Sequence, residues 1–286
     1  MMDRVNFRHI SGIILGLLVV IGGVIAWKFA YSHGIKAFTL DGIFLKFCLV
    51  GFFAQIIDGS LGMGYGVSCS TFLLHLGVPP AFVSASVHTA AVFTTGASGL
   101  SHLYFKNVDK TLFIRLAIPG AIGATLGAFL LSRIFNADVV KPLIGAYLLV
   151  LGFIIMKKSF GAPKFKEEVR NVSPLGFIGG MLATIGGGGW GPIVASNLIH
   201  KGKTPQLSIG TVNMAEFFVS FCGAGVFLFF LGLDAWKTIL GLMAGGVLAA
   251  PLGAFFVRYI RPKILMFFVG LIIIITSGLT IYKSLL

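Results

Sequence analysis

Two glycine-rich runs carry the residue types best suited to holding a small anion. They are Gly59-Ser60-Leu61-Gly62-Met63-Gly64-Tyr65-Gly66 and Gly186-Gly187-Gly188-Gly189-Trp190-Gly191. Glycine lets the backbone turn freely and present its N–H groups, and a helix beginning just beyond points the positive end of its dipole at the turn. The pattern predicts such helices from Val67 and from Pro192, the proline suiting a first helical turn. Candidate binding residues are therefore Gly62, Gly64, Tyr65 and Gly66 in the first run and Gly187, Gly188, Gly189, Trp190 and Gly191 in the second. The plain alternative is that these glycines only let helices pack closely, as small residues do in membranes. A nucleotide loop is excluded, since no GKS or GKT follows either run.

Ionisable residues within apolar stretches come next. Of the nine acids, Asp3, Asp41, Asp109, Asp138, Glu167, Glu168 and Asp234 fall in loops or at the ends of apolar runs. Asp58 and Glu216 do not. A carboxyl group inside a membrane is costly and by default functional, so both are candidates for ion coupling, with a hydrogen-bonded structural carboxyl as the bland alternative. His88 is a third coupling candidate. With Ser86, Thr211 and Asn213 it also gives a second polar set that could face a substrate, continued by Thr89, Thr94 and Thr95. His75, His102 and His200 lie near span ends and read as interfacial. Cys48, Cys69 and Cys222 sit in apolar segments with no CxxC spacing, which excludes a disulfide frame and a zinc site. No HExxH or GxSxG motif occurs and no His/Asp/Glu set has metal-ligand spacing, so neither an enzyme nor a cofactor or metal is expected.

These residues must be positioned by elements immersed in lipid. Hydrophobic residues make up 57% of the 286, charged residues 11%, and the mean hydropathy is +0.98. That leaves too little polar surface to coat a globule in water. Runs long enough to cross about 30 Å of hydrocarbon recur throughout. The net charge of +13 then belongs to cytoplasmic loops meeting anionic lipid rather than to nucleic acid. The first apolar run, 10–30, is long for a signal peptide and lacks a clear cleavage site, so a retained helix is expected.

Sliding the chain against itself by 125 positions aligns Tyr65-Gly66 with Trp190-Gly191. The register holds without a gap. Gly62, Gly64, His75, Pro80, Asp109 and Arg133 meet Gly187, Gly189, His200, Pro205, Asp234 and Arg258. Glycine matches are cheap in a membrane protein, but charged, His and Pro matches in one register indicate a duplication. It joins a first repeat (41–158) to a second (174–286) through a polar linker (159–173), after an N-terminal helix in 1–40. Ser86 aligns with Thr211 and His88 with Asn213, whereas Asp58 aligns with Ala183 and Glu216 with Ala91. The acids therefore break the symmetry.

As one helix, 45–76 would run about 48 Å, too long for one span and too short for two. A hairpin of two half-helices fits, and irregular backbone at that depth needs protein or a wet cavity around it. With the N-terminus inside and both interrupted stretches as hairpins, 15 of the 22 Lys and Arg lie on the cytoplasmic side. Treating the stretches as single spans gives only 12 against 10. The expected fold is thus an all-α integral membrane protein with two inverted repeats. Each repeat is a broken-helix hairpin plus three transmembrane helices, and one extra transmembrane helix precedes them. Inverted repeats with broken helices are the signature of a secondary transporter whose site lies at the repeat interface.

The chain resembles the TauE/SafE family of membrane transporters (sulfite exporter TauE/SafE-like) from about residue 41 onward. The resemblance rests on Asp58-Gly-Ser-Leu-Gly-Met-Gly-Tyr-Gly66, Val78-Pro-Pro80, Ser84-Ala-Ser-Val-His-Thr89, Asn107-Val-Asp109, Gly186-Gly-Gly-Gly-Trp-Gly-Pro192 and Gly210-Thr-Val-Asn-Met-Ala-Glu216. It implies transport of sulfite, sulfonates or related small anions across the cytoplasmic membrane, coupled to an ion gradient. The expected partners are that small anion and membrane lipids, with no nucleic acid. The extra N-terminal helix leaves the oligomeric state open, a homodimer included. A proton is the expected coupling ion. The alternatives from other classes are a passive anion channel and a non-transporting membrane assembly partner.

Overall fold

The computed structural model describes residues 7–32, 41–160, 171–195, 197–198, 205–232, 234–256 and 262–285. Every regular element among them is helical: α1 (Phe7–Ser32), α2 (Gly42–Leu61), α3 (Tyr65–His75), α4 (Pro80–Tyr104), α5 (Lys110–Arg133) and α6 (Ala137–Phe160). There follow α7 (Ser173–Gly186), a π-helical turn (Gly191–Ala195), α8 (Pro205–Leu231), α9 (Trp236–Phe256) and α10 (Pro262–Leu285). Most of the expected linker, together with His200, lies outside the described residues.

Local signals account for the boundaries. Asp41 caps α2 by accepting from the Phe44 amide (2.9 Å), and Asp109 caps α5 by accepting from Leu112 (3.1 Å). Pro80 opens α4 at a first-turn position. Lys237, at the start of α9, closes an ion pair with Asp41 (2.5 Å) that ties two helix beginnings together. The hydrogen bond from Lys237 holds the Asp41 carboxyl below its usual range.

The surface identifies the solvent. α2, α5, α6, α8 and α10 each contain an apolar stretch long enough to cross a membrane, and α1, α7 and α9 carry shorter ones. On α5, Ile118, Ile122, Leu126 and Phe129 face outward, while Gly120, Gly123 and Gly127 are buried. A soluble helix does the reverse. Lipid gives large apolar side chains no reason to hide, so close backbone approach through small residues drives helix association instead. A methyl added at Gly176 would come 2.9 Å from the Leu116 carbonyl, and the α5–α7 contact depends on its absence. α4 is 25 residues long but polar, and its Ser84, Ser86, His88, Thr89, Thr94, Thr95 and Ser98 are all buried. It occupies the interior because lipid would not accept it.

The main helix pairings are unchanged when the halves are exchanged. α2 packs on α9 as α7 packs on α5, and α5 on α8 as α9 on α4. α4 pairs with α8, and α6 with α10. These two pairs join elements that correspond under the 125-residue offset, so the central contact of the molecule is between equivalent helices. α1 stands apart from this scheme and lies against α4, where Leu18 covers Gly96.

Candidate functional site

Both interrupted stretches break at glycines in the left-handed region, and they do so at corresponding positions. Gly62 and Gly64 have φ of 66° and 127°; Gly187 and Gly189 have 72° and 118°. A side chain at any of these four positions would be strained. The restarts differ from expectation. α3 begins at Tyr65, two residues earlier than predicted, because Asp58 Oδ1 accepts from the Tyr65 amide (3.3 Å). The second half is helical again from Trp190, with a π-helical turn over Gly191–Ala195 and helix at 197–198. Such turns recur at functional sites.

The two glycine turns meet backbone to backbone. A methyl added at Gly66 would lie 2.7 Å from Gly188 Cα, and one at Gly191 would lie 2.6 Å from the Gly62 carbonyl oxygen. Ser70 Oγ donates across the contact to the Gly187 carbonyl (2.5 Å). From α6, Tyr147 OH donates to the Gly188 carbonyl (3.0 Å), and Lys158 Nζ reaches the Pro192 carbonyl in the π-helical turn (3.2 Å). Trp190 is buried, with its indole N–H donating to Val212 (3.1 Å). Sequence reasoning missed Ser70, Tyr147 and Lys158. Their partners lie from 34 to 117 positions away, and each residue alone looks like an ordinary part of its helix.

The two acids, from opposite halves, lie within electrostatic reach of each other. Asp58 is 2% exposed, and its second oxygen has no partner among the described residues. Glu216, on α8, lies within electrostatic reach of it and keeps some accessible surface. Tyr65 is buried, has Thr94 beside its hydroxyl and lies within electrostatic reach of both carboxyl groups.

The second polar set does not gather in one place. His88 is buried with both ring nitrogens engaged, Nε2 at 3.2 Å from the Ala183 carbonyl and Nδ1 at 3.3 Å from Ser220 Oγ. Donation from Nε2 to the carbonyl leaves Nδ1 to accept from the serine. Thr211 Oγ1 accepts from the Asp109 amide (2.9 Å), which ties α8 to the beginning of α5. Asn213 donates to the Ile209 carbonyl (3.1 Å), while its side-chain oxygen and Ser86 Oγ are buried without partners. Among the described residues no group of three or more His, Cys, Asp or Glu is placed to hold a metal ion.

Comparison with known proteins supplies the family. The family model for "Sulfite exporter TauE/SafE" matches residues 47–280. This chain belongs to the TauE/SafE family of membrane transporters. It is 42% identical over 250 residues to the "Probable membrane transporter protein YtnM" of Bacillus subtilis, covering 84% of this chain and 83% of that one. It is 28% identical over 250 residues to the "Probable membrane transporter protein ORF9" of a Sinorhizobium species, covering 82% and 89%. The "Sulfite exporter TauE/SafE family protein 3" of Arabidopsis thaliana is 30% identical over 106 residues, which are 37% of this chain and 22% of that protein. No solved structure matches the chain. As a TauE/SafE member the chain is a membrane transporter and not an enzyme, and its several apolar helices make it a multi-pass membrane protein.

Proposed function

We propose that this chain is a secondary transporter that moves a small sulfur-containing anion, such as sulfite or a sulfonate, across the cytoplasmic membrane together with a proton. The observation that carries the reading is the meeting of two glycine turns, one from each half, beside the buried Asp58, with Glu216 of the other half within its electrostatic reach. Gly62, Gly64, Tyr65 and Gly66 with Gly187, Gly188, Gly189, Trp190 and Gly191 would surround the anion, supplying backbone N–H groups in place of water. Ser86, His88, Thr211 and Asn213 support the helices that carry these turns, and Asp58 and Glu216 hold the coupling proton. The sulfur oxyanion is supported by the name of the family and of the Arabidopsis relative.

Purified protein in proteoliposomes is expected to take up sulfite, or a sulfonate, saturably and against its gradient when the interior is alkaline. Flux that only equilibrates the anion and does not saturate would make the protein a channel. No flux for any of sulfite, thiosulfate, sulfoacetate, taurine or sulfate, with no thermal shift from any of them, would leave an assembly partner.

The exchange-symmetric helix pairings support an inverted arrangement, in which an odd change of side places the second half upside down relative to the first. Single cysteines placed in the 159–173 linker, in a background lacking Cys48, Cys69 and Cys222, are expected to react only from the cytoplasmic side. Reaction from outside would rule the arrangement out.

A further inference from the structure

Five buried or half-buried residues around Asp58 and Glu216 have counterparts in the other half that lack their polar groups. Under the 125-residue offset, Gln55, Asp58, Tyr65, Thr94 and Glu216 correspond to Gly180, Ala183, Trp190, Val219 and Ala91. All five exchange a polar or hydroxyl-bearing side chain for one without an oxygen or a charge. In the second half that place is filled. A methyl added at Gly120 would meet both the Trp190 ring and Val219 at 2.8 Å, and the one polar atom of Trp190 is already used by the Val212 carbonyl.

The first half is built alike and finished differently. Tyr65 and Thr94 stand together against Gly246 of α9, as Trp190 and Val219 stand against Gly120 of α5. Here, however, the buried groups lack partners. Gln55 is fully buried with neither its amide oxygen nor its nitrogen bonded, and Asp58 Oδ2 is also unpartnered, while the Tyr65 hydroxyl has Thr94 beside it. Gln55 precedes Asp58 by three residues on α2, so both lie on one face. Buried polar groups are nearly always paired, and three unpaired atoms of Gln55 and Asp58 on one face of α2 point to a bound species.

The charges decide its sign. The titratable groups facing the acids are Tyr65 and Cys69 of α3, both neutral in their ordinary state. α4 contributes Thr94 and α9 contributes Gly246, while His88 is turned away to Ala183 and Ser220. Two carboxylates with no cation beside them are not both kept charged away from water, so the occupant is positive.

We propose that Gln55, Asp58, Tyr65 and Glu216 form a single proton site per chain, away from the axis relating the two halves. The two carboxyl groups share the proton, and Gln55 and Tyr65 position them. The corresponding place in the second half, plugged by Trp190 and Val219, carries none. This rests on the proton-coupled transport reading and adds to it two positioning residues and a one-sided placement.

The test is the pH profile of anion affinity in proteoliposomes. Gln55→Leu, which keeps the volume and removes the amide, is expected to move the midpoint of that profile by about half a pH unit or more, whether or not the maximal rate falls. Tyr65→Phe is expected to do the same, and it gives the reading if Gln55→Leu does not insert. Val219→Thr, on the plugged side, is expected to leave the midpoint in place. If Gln55→Leu and Tyr65→Phe both keep the parent midpoint while Glu216→Gln loses pH dependence, the proton rests on Glu216 alone. The shared site then fails and the transport reading stands. A midpoint that moves with Val219→Thr removes the one-sidedness. Uptake by the parent that follows a sodium gradient and ignores pH overturns the proton reading and this inference with it.

Discussion

Glu216→Gln is expected to retain anion binding and to lose proton-driven accumulation altogether. Glutamine has the shape of the neutral carboxylic acid, so a carboxyl that is protonated when the anion arrives is well imitated by it. What the amide does not do is release a proton on the far side. With a pH difference of about two units, one coupled proton sustains roughly a hundredfold anion gradient, because each tenfold ratio corresponds to about 1.4 kcal/mol. The parent protein is expected to approach that ratio in proteoliposomes, and the variant to stop at a ratio of about one. Its affinity for the anion is expected to be the same at acidic and alkaline pH. A Glu216→Gln protein that still concentrates the anion under a pH gradient would take Glu216 out of the coupling role. The placement of Glu216 motivates this expectation. It is on α8, within electrostatic reach of Asp58 of the opposite half, and it is less buried than Asp58.

Gly188→Ala is expected to remove anion binding while leaving the protein inserted in the membrane. Its new methyl would overlap the Gly66 carbonyl carbon and the Val67 amide, and these are backbone atoms that no rotamer change can move aside. The two glycine turns would be wedged apart by a few tenths of an ångström or more. Overpacking of this kind costs about 1–3 kcal/mol, so a lowered Tm and an anion affinity reduced about tenfold or more are expected together. Gly225→Ala is the control, since nothing lies within 4 Å of its added methyl in α8. It is expected to raise stability slightly, alanine being the better helix former by roughly 0.5–1 kcal/mol. A Gly188→Ala protein that shows the parent's substrate-induced thermal shift would reduce the glycine contact to packing, the alternative that glycine abundance in membrane helices always offers.

Much of the architecture was legible because lipid constrains a chain more tightly than water does. Composition excludes a soluble globule, and the apolar runs near 10–30, 111–133, 139–156 and 206–231 lie in helices of the structure. The interrupted stretch 45–76 is two helices joined at glycines, as its length requires. Glycines paired by the 125-residue offset, Gly62 with Gly187 and Gly64 with Gly189, share positive φ values and make corresponding turns. Periodicity settles such features because each depends on residues close together in sequence.

The partners across the molecule were not legible. His88 looked like a group free to meet a substrate, yet it is bonded to Ala183 and Ser220, which are 95 and 132 positions away. Lys158 looked like a loop cation, yet it reaches the π-helical turn at Pro192. Gln55 carried no signal, because an isolated amide in an apolar run gives no hint of whether it is paired. Hydropathy is blind here for a physical reason: the lipid-facing and protein-facing sides of these helices are both apolar, so the pattern does not show which side meets which helix. The sequence by itself determined a duplicated, helical, membrane-embedded chain broken at two glycine clusters. Only the tertiary structure decided that these clusters touch, and that Asp58 and Glu216 come within electrostatic reach, because both depend on contacts between halves separated by more than a hundred residues.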